Sequence, residues 1–226
     1  MKFRTTFLIF FIINSVFKLN AQEEGNILGE TSVNVNYNVS ETYRINFTAR
    51  SRYFLFENKK LIYTQQQFDI FHFSTFKIKK SNRIGLGLYY RNRDLFETGS
   101  DEIRIMQQYS YKKHKRQISL GHRFRFEQRI FDTRTIFRSR YRFALNFPLN
   151  SNDSNTEAPY IFAAAEGLLS LTDTSKPEFG QRTTAMLAWH IGNHSLFKTG
   201  FEYRLENFSN KTENYMFFLS TLSFTL

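Results

Sequence analysis

Glu127, Glu166 and Glu202 are carboxylates of this 226-residue chain that stand on patterned segments, where an acid or base would be held in place. Glu127 lies two residues from Arg125 and Arg129, and Glu202 two residues from Arg204. Acid–base catalysis asks for a carboxyl that keeps its proton near neutrality, whereas neighbouring guanidiniums favour the ionised form. The role these carboxylates suit is neutralising arginines. The histidines, His72, His114, His122, His190 and His194, lack a metal-ligand spacing such as His-Glu-x-x-His, and the chain has neither a Gly-x-Ser-x-Gly elbow nor a phosphate loop. It has no cysteine, so it carries no disulfide, no thiolate metal site and no lipidated cysteine. No catalytic residue, cofactor or metal ligand is assigned.

What positions the charges is a period of two. From Gly121 to Phe147, Arg123, Arg125, Glu127 and Arg129, then Arg138, Arg140 and Arg142, alternate with Phe124, Phe126, Ile130, Phe137, Tyr141, Phe143 and Leu145. Each run is a strand with one charged and one oily face. The break at Asp132-Thr133 makes them an antiparallel hairpin with both charged rows on one side. The same alternation recurs in Val33–Tyr37, Tyr43–Tyr53, Ile84–Arg91, Glu102–Tyr111, Tyr160–Leu169 (carrying Glu166), Arg182–Ile191, Phe197–Leu205 (carrying Glu202 and Arg204) and Tyr215–Leu226. Ile62–Ile78 is a strand whose polarity does not separate cleanly. Tight turns are expected near residues 38, 80, 113 and 192 and longer connections near 58, 97, 175 and 209, with the loop around Pro148–Asn155 departing from that rule.

The N-terminus reads as a secretory signal peptide over residues 1–21: Lys2 and Arg4, an apolar run from Phe7 to Phe17, then Leu19-Asn20-Ala21. Removing it lowers the formal charge by three, from +11 to +8. The cations alternate along strands and form no blocks, which argues against a nucleic-acid partner. Residues 22–226 make one all-β domain.

Alternation alone also fits a soluble β-barrel, here a periplasmic binding protein. Four features favour a transmembrane antiparallel β-barrel of about 10 to 12 strands with an Arg/Glu-lined lumen. The segments have the length of tilted membrane strands; short and long connections alternate; aromatics collect beside the short turns (Tyr37, Tyr43, Tyr109, Tyr111, Trp189, Phe197); and the polar face prefers Arg with Glu. An Arg on the lipid face at the bilayer midplane costs about 2 to 4 kcal/mol. The arginines of the central hairpin therefore have to point inward. Eleven candidate strands are visible, and single-chain bacterial barrels usually have an even number, so ten or twelve is expected, with Asn58–Gln67 the place for a missed strand.

His122-Arg-Phe-Arg-Phe-Glu-Gln-Arg129, Arg138-Ser-Arg-Tyr-Arg-Phe143, Ala163-Ala-Ala-Glu-Gly167, Gly180-Gln-Arg182 and Gly200-Phe-Glu-Tyr-Arg204 together resemble the bacterial family called domain of unknown function 2490, over nearly all of the mature chain. The resemblance implies a Gram-negative outer-membrane β-barrel of unassigned function and brings no catalytic residue.

The expected lumen charge network is Arg123, Arg125, Glu127, Arg129, Arg138, Arg140, Arg142, Glu166, Arg182, Glu202 and Arg204. The expected function is a structural envelope component or a narrow, anion-leaning pore. The alternatives are the soluble periplasmic binding protein and an outer-membrane enzyme acting on lipid or peptide, whose site would be assembled from strand ends. The expected partners are outer-membrane lipid, small anionic solutes and the barrel-assembly machinery. The terminal Ser223-Phe-Thr-Leu226 resembles that machinery's recognition signal.

Overall fold

The computed structural model describes residues 27–57, 60–93, 101–115, 118–149, 158–173, 175–208 and 212–226. The signal-peptide reading of residues 1–21 lies outside the described residues. Among the described residues, eleven strands form one closed barrel: β1 (Ile27–Asn38), β2 (Tyr43–Glu57), β3 (Lys60–Lys79), β4 (Asn82–Arg93), β5 (Glu102–Lys115), β6 (Ile118–Ile130), β7 (Thr135–Pro148), β8 (Tyr160–Thr172), β9 (Ser175–His190), β10 (Ser195–Glu206) and β11 (Glu213–Thr225). Each strand pairs antiparallel with the next, and β1 closes the sheet against β11 in parallel.

The expectation of an even, wholly antiparallel barrel is corrected here. Neighbours that alternate direction all the way round require an even number. With eleven strands one pair must run the same way, and that pair is β1/β11, in register from Ile27↔Met216 to Asn36↔Thr225. Short polar side chains knit the parallel seam on its inner face: Ser32 Oγ lies 3.0 Å from Thr221 Oγ1, and Asn34 Nδ2 donates to Ser223 Oγ at 3.0 Å. As a result β1 begins at one rim and β11 ends at the other. The segment Asn58–Gln67 is no twelfth strand; its described part is the start of β3.

Two further expectations change. The connections at 58–59 and 173–174 are only two residues long, because β3 and β9 extend into those segments, so the contrast between short and long connections is weaker than the sequence implies. The mixed polarity of β3 has a specific cause. Arg52 pairs with Gln67 but Tyr53 with Gln65, so a bulge at Gln66 reverses the phase of the alternation, and beyond it Phe71 and Phe73 point inward beside Asp69. The hairpin of β6 and β7 is as expected, closed by Phe131 N–H donating to the Arg134 carbonyl at 2.9 Å. The turn at Gly192 is tight, with φ of 77°.

The distribution of polarity is inverted relative to a water-soluble protein. Asp69, Glu102 and Glu127 are fully buried, whereas Leu86, Leu88, Phe124 and Phe201 are each more than half exposed. Up to the register shifts near the ends of β2 and β9, the outward positions of β1, β2, β4 and β6 to β11 carry no Asp, Glu, Lys or Arg. On β5 the outward charges are Lys113 and Lys115, beside the rim. Outward aromatics pair near that same rim: Tyr43 stacks on Phe76 with centroids 4.5 Å apart, and Trp189 meets Phe197 edge-on at 4.9 Å.

Candidate functional site: the charged lumen

Two-residue periodicity puts every second side chain inside the barrel, and the registers then stack those side chains into rungs across neighbouring strands. One rung alternates in sign over four strands, Arg50↔Asp69↔Arg91↔Glu102. Asp69 accepts from Arg91 Nε at 2.9 Å. Glu102 accepts from Arg104 Nε at 2.6 Å and from Arg129 Nε at 2.5 Å, with Arg93 at 3.4 Å and Arg91 at 3.9 Å. Glu127 then takes over the chain, 3.5 Å from Arg104 and 2.9 Å from Arg140, and Arg140 also pairs with Glu166, which accepts from Arg123 at 2.7 Å. A second cluster centres on Glu30, which meets Arg50 at 3.4 Å, Arg52 at 2.9 Å and Arg204 at 3.3 Å; Arg204 also donates to Glu202 at 2.5 Å. Such charge-assisted, forked contacts are the strong ones among hydrogen bonds.

Among the described residues, every ion pair joins positions on one strand, on adjacent strands or on strands one apart. The pairs run around the wall, and none crosses the axis. Aromatic rings hold the guanidiniums against that wall. Arg125 lies 4.8 Å above the centre of the Phe73 ring, Arg104 4.3 Å above Tyr89, and Arg204 3.7 Å above Phe217. Phe73 itself lies flat on β4 because Gly87 has no side chain: a Cβ there would come within 2.7 Å of the ring.

The space left is a cavity of about 1330 Å³. Its lining begins at Asn38, Thr42, Lys77 and Ser195 at one rim and reaches Arg93, Arg129 and Glu206, at or next to the ends of β4, β6 and β10, at the other. Among the described residues, fifteen arginines and two lysines line it, against six glutamates, so cations predominate.

All eleven residues of the network expected from sequence line this cavity. Most of them meet in the ion pairs above. Arg182 pairs with Glu206 at 3.0 Å, and Arg138 donates to Ser170 Oγ at 2.8 Å in place of a carboxylate. Arg142 joins no ion pair among the described residues; it lies against Phe162. The network expected from sequence left out three carboxylates that organise it, Glu30, Asp69 and Glu102, although the alternation of Glu102–Tyr111 put Glu102 on the polar face. Each sits two residues from another inward polar position (Ser32, Gln67 and Arg104), and that spacing was the available signal. Of the histidines, His72 and His122 face outward, bonded to Ser74 Oγ at 3.0 Å and Tyr141 Oη at 2.8 Å, and His190 and His194 line the cavity at the rim of the Gly192 turn.

A family model described as a protein of unknown function (DUF2490) matches residues 31–216. That span runs from β1 to the start of β11, so it takes in the whole ion-pair network except Glu30. No curated protein and no solved structure matches the chain.

Proposed function

The chain belongs to the family described as protein of unknown function (DUF2490), and, since that description carries no activity, we propose from the lumen's geometry that it is an outer-membrane barrel providing a narrow passage for small anions. The observation that carries this reading is the arrangement of the ion pairs. Guanidiniums and carboxylates that neutralise one another along the wall leave the axis to solvent, and the surplus cations set the sign of the potential within it. A structural plug would instead link opposite walls.

The outward face supports the bilayer as the barrel's solvent. Contiguous apolar patches on soluble monomers rarely exceed a few hundred Å². Here the outer face is apolar nearly all the way round, without formal charge on most strands, and its aromatic pairs sit near one rim. An aromatic belt and a charge-free band are what a membrane strand requires. A soluble periplasmic binding protein would need these faces exchanged.

Expression in a Gram-negative host followed by fractionation checks the location. The protein is expected with outer membranes, resistant to alkaline extraction, and faster on a gel when left unheated in detergent. The passage itself is checked with sealed vesicles containing a chloride-sensitive dye: reconstituted protein is expected to admit chloride faster than potassium. Recovery in the soluble periplasmic fraction would sink the membrane reading, and vesicles as tight as protein-free ones would sink the passage.

A further inference from the structure

Two like-charged rungs in the lumen are bridged by a carboxylate. Arg104 stands opposite Arg129, and Glu102 holds both; Arg125 stands opposite Arg140, and Glu127 lies 3.8 and 2.9 Å from them. The rung of Arg123 and Arg142 is not bridged. Arg123 stands directly opposite Arg142, and the carboxylate across from Arg142 on β8, Glu166, is bonded to Arg123 and Arg140. Arg142 therefore has no ion pair among the described residues, and its Nε is buried without a hydrogen-bond partner, as is the Nε of Arg123. Lys198 reaches the same place from β10, past the fully buried Ala188, and it too has no ion pair among the described residues. Arg142 and Lys198 lie 5.2 and 5.5 Å from the centre of one ring, Phe162.

Like charges held together away from bulk water destabilise a fold unless something neutralises them. The proposal that follows rests on the reading of the lumen as an anion passage. We propose that Arg142, Lys198 and the free Nε of Arg123 form a binding site for a tetrahedral oxyanion of the phosphate class. The donor set decides the class. A guanidinium brings a planar fork and an ammonium three further donors, and a phosphate turns oxygens in four diverging directions toward them where a carboxylate offers two in one plane. A phosphate can accept from the Arg142 fork, from Lys198 and from Arg123 at once. In the passage the site is a resting point that favours such ions over chloride.

Inorganic phosphate added at constant ionic strength to the full barrel, refolded in detergent, tests this by calorimetry and thermal melting. Saturable binding is expected with a rise in melting temperature, and acetate should bind roughly tenfold more weakly, since it forfeits at least one charge-assisted bond. Lys198→Met keeps a long apolar side chain beside Phe162 and removes one cation. It is expected to melt higher than the native barrel without phosphate and to bind phosphate roughly tenfold more weakly, for the same reason. Arg142→Gln should weaken binding similarly, and Lys113→Gln, on the outer face, should leave it unchanged. No saturable binding, equal affinity for acetate, unaltered affinity in the Lys198→Met barrel, or a Lys198→Met barrel less stable than the native one would each overturn the site. A barrel that binds phosphate yet admits no chloride retains the site and loses the passage, and one that admits chloride without binding phosphate does the reverse.

Discussion

Glu102→Gln is expected to lower the barrel's unfolding free energy by about 3 to 5 kcal/mol, the range for removing one partner of a buried ion pair. The substitution keeps the shape and one acceptor oxygen, removes the charge and puts an amide donor where the other oxygen accepted. Glu102 is fully buried and stands within 4 Å of Arg91, Arg93, Arg104 and Arg129, so a single change leaves four guanidiniums sharing the remaining carboxylates. Those remaining are already engaged, Asp69 by Arg91 and Glu127 by Arg104 and Arg140. Urea unfolding of barrels refolded into lipid vesicles measures the loss. Glu41→Gln at the exposed rim is the control and is expected to stay within about 0.5 kcal/mol of native. Equal stability of the Glu102 and Glu41 variants would mean that water or mobile anions neutralise the wall and that its ion pairs are incidental.

Leu86→Arg is expected to destabilise the inserted barrel by about 2 to 4 kcal/mol, the cost of an arginine on the lipid face near the midplane. Leu86 is 60% exposed and lies in the middle of β4, facing outward. In a water-soluble barrel the same substitution would place a charge in solvent and change stability by no more than about 0.5 kcal/mol. The size of the effect therefore separates the two environments without any assay of activity. Leu86→Ala controls for lost side-chain contacts.

The β6/β7 hairpin could be read from sequence because arginine and glutamate fall only on one of its faces and phenylalanine, tyrosine and leucine only on the other. The same argument located the inward residues of β2, β4, β5, β8, β9 and β10. It failed at β3, where the bulge at Gln66 shifts the phase and where Phe71 and Phe73 are lumen residues serving as platforms for Arg50 and Arg125. A period-two reading assumes that apolar means outward, and a cation–π contact inside a charged lumen breaks that assumption. The closing seam was also invisible. Parallel pairing of β1 with β11 depends on strands nearly two hundred residues apart, and its inward Ser32, Asn34, Thr221 and Ser223 look like those of any polar strand face. Asp69 escaped notice because its partners, Arg50 and Arg91, lie on other strands and only the register brings them level.

Ion selectivity across a planar bilayer puts the inward charged wall, the free axis and the apolar outer face to a single test. Purified protein under a potassium chloride gradient is expected to conduct with a reversal potential displaced toward the chloride equilibrium value. Arg125→Glu with Arg140→Glu, both lining the cavity, should move that potential toward the potassium value while insertion persists. Current that favours potassium in the native protein, selectivity unmoved by the double reversal, or no conductance from barrels shown to be inserted would contradict an anion passage lined by these arginines.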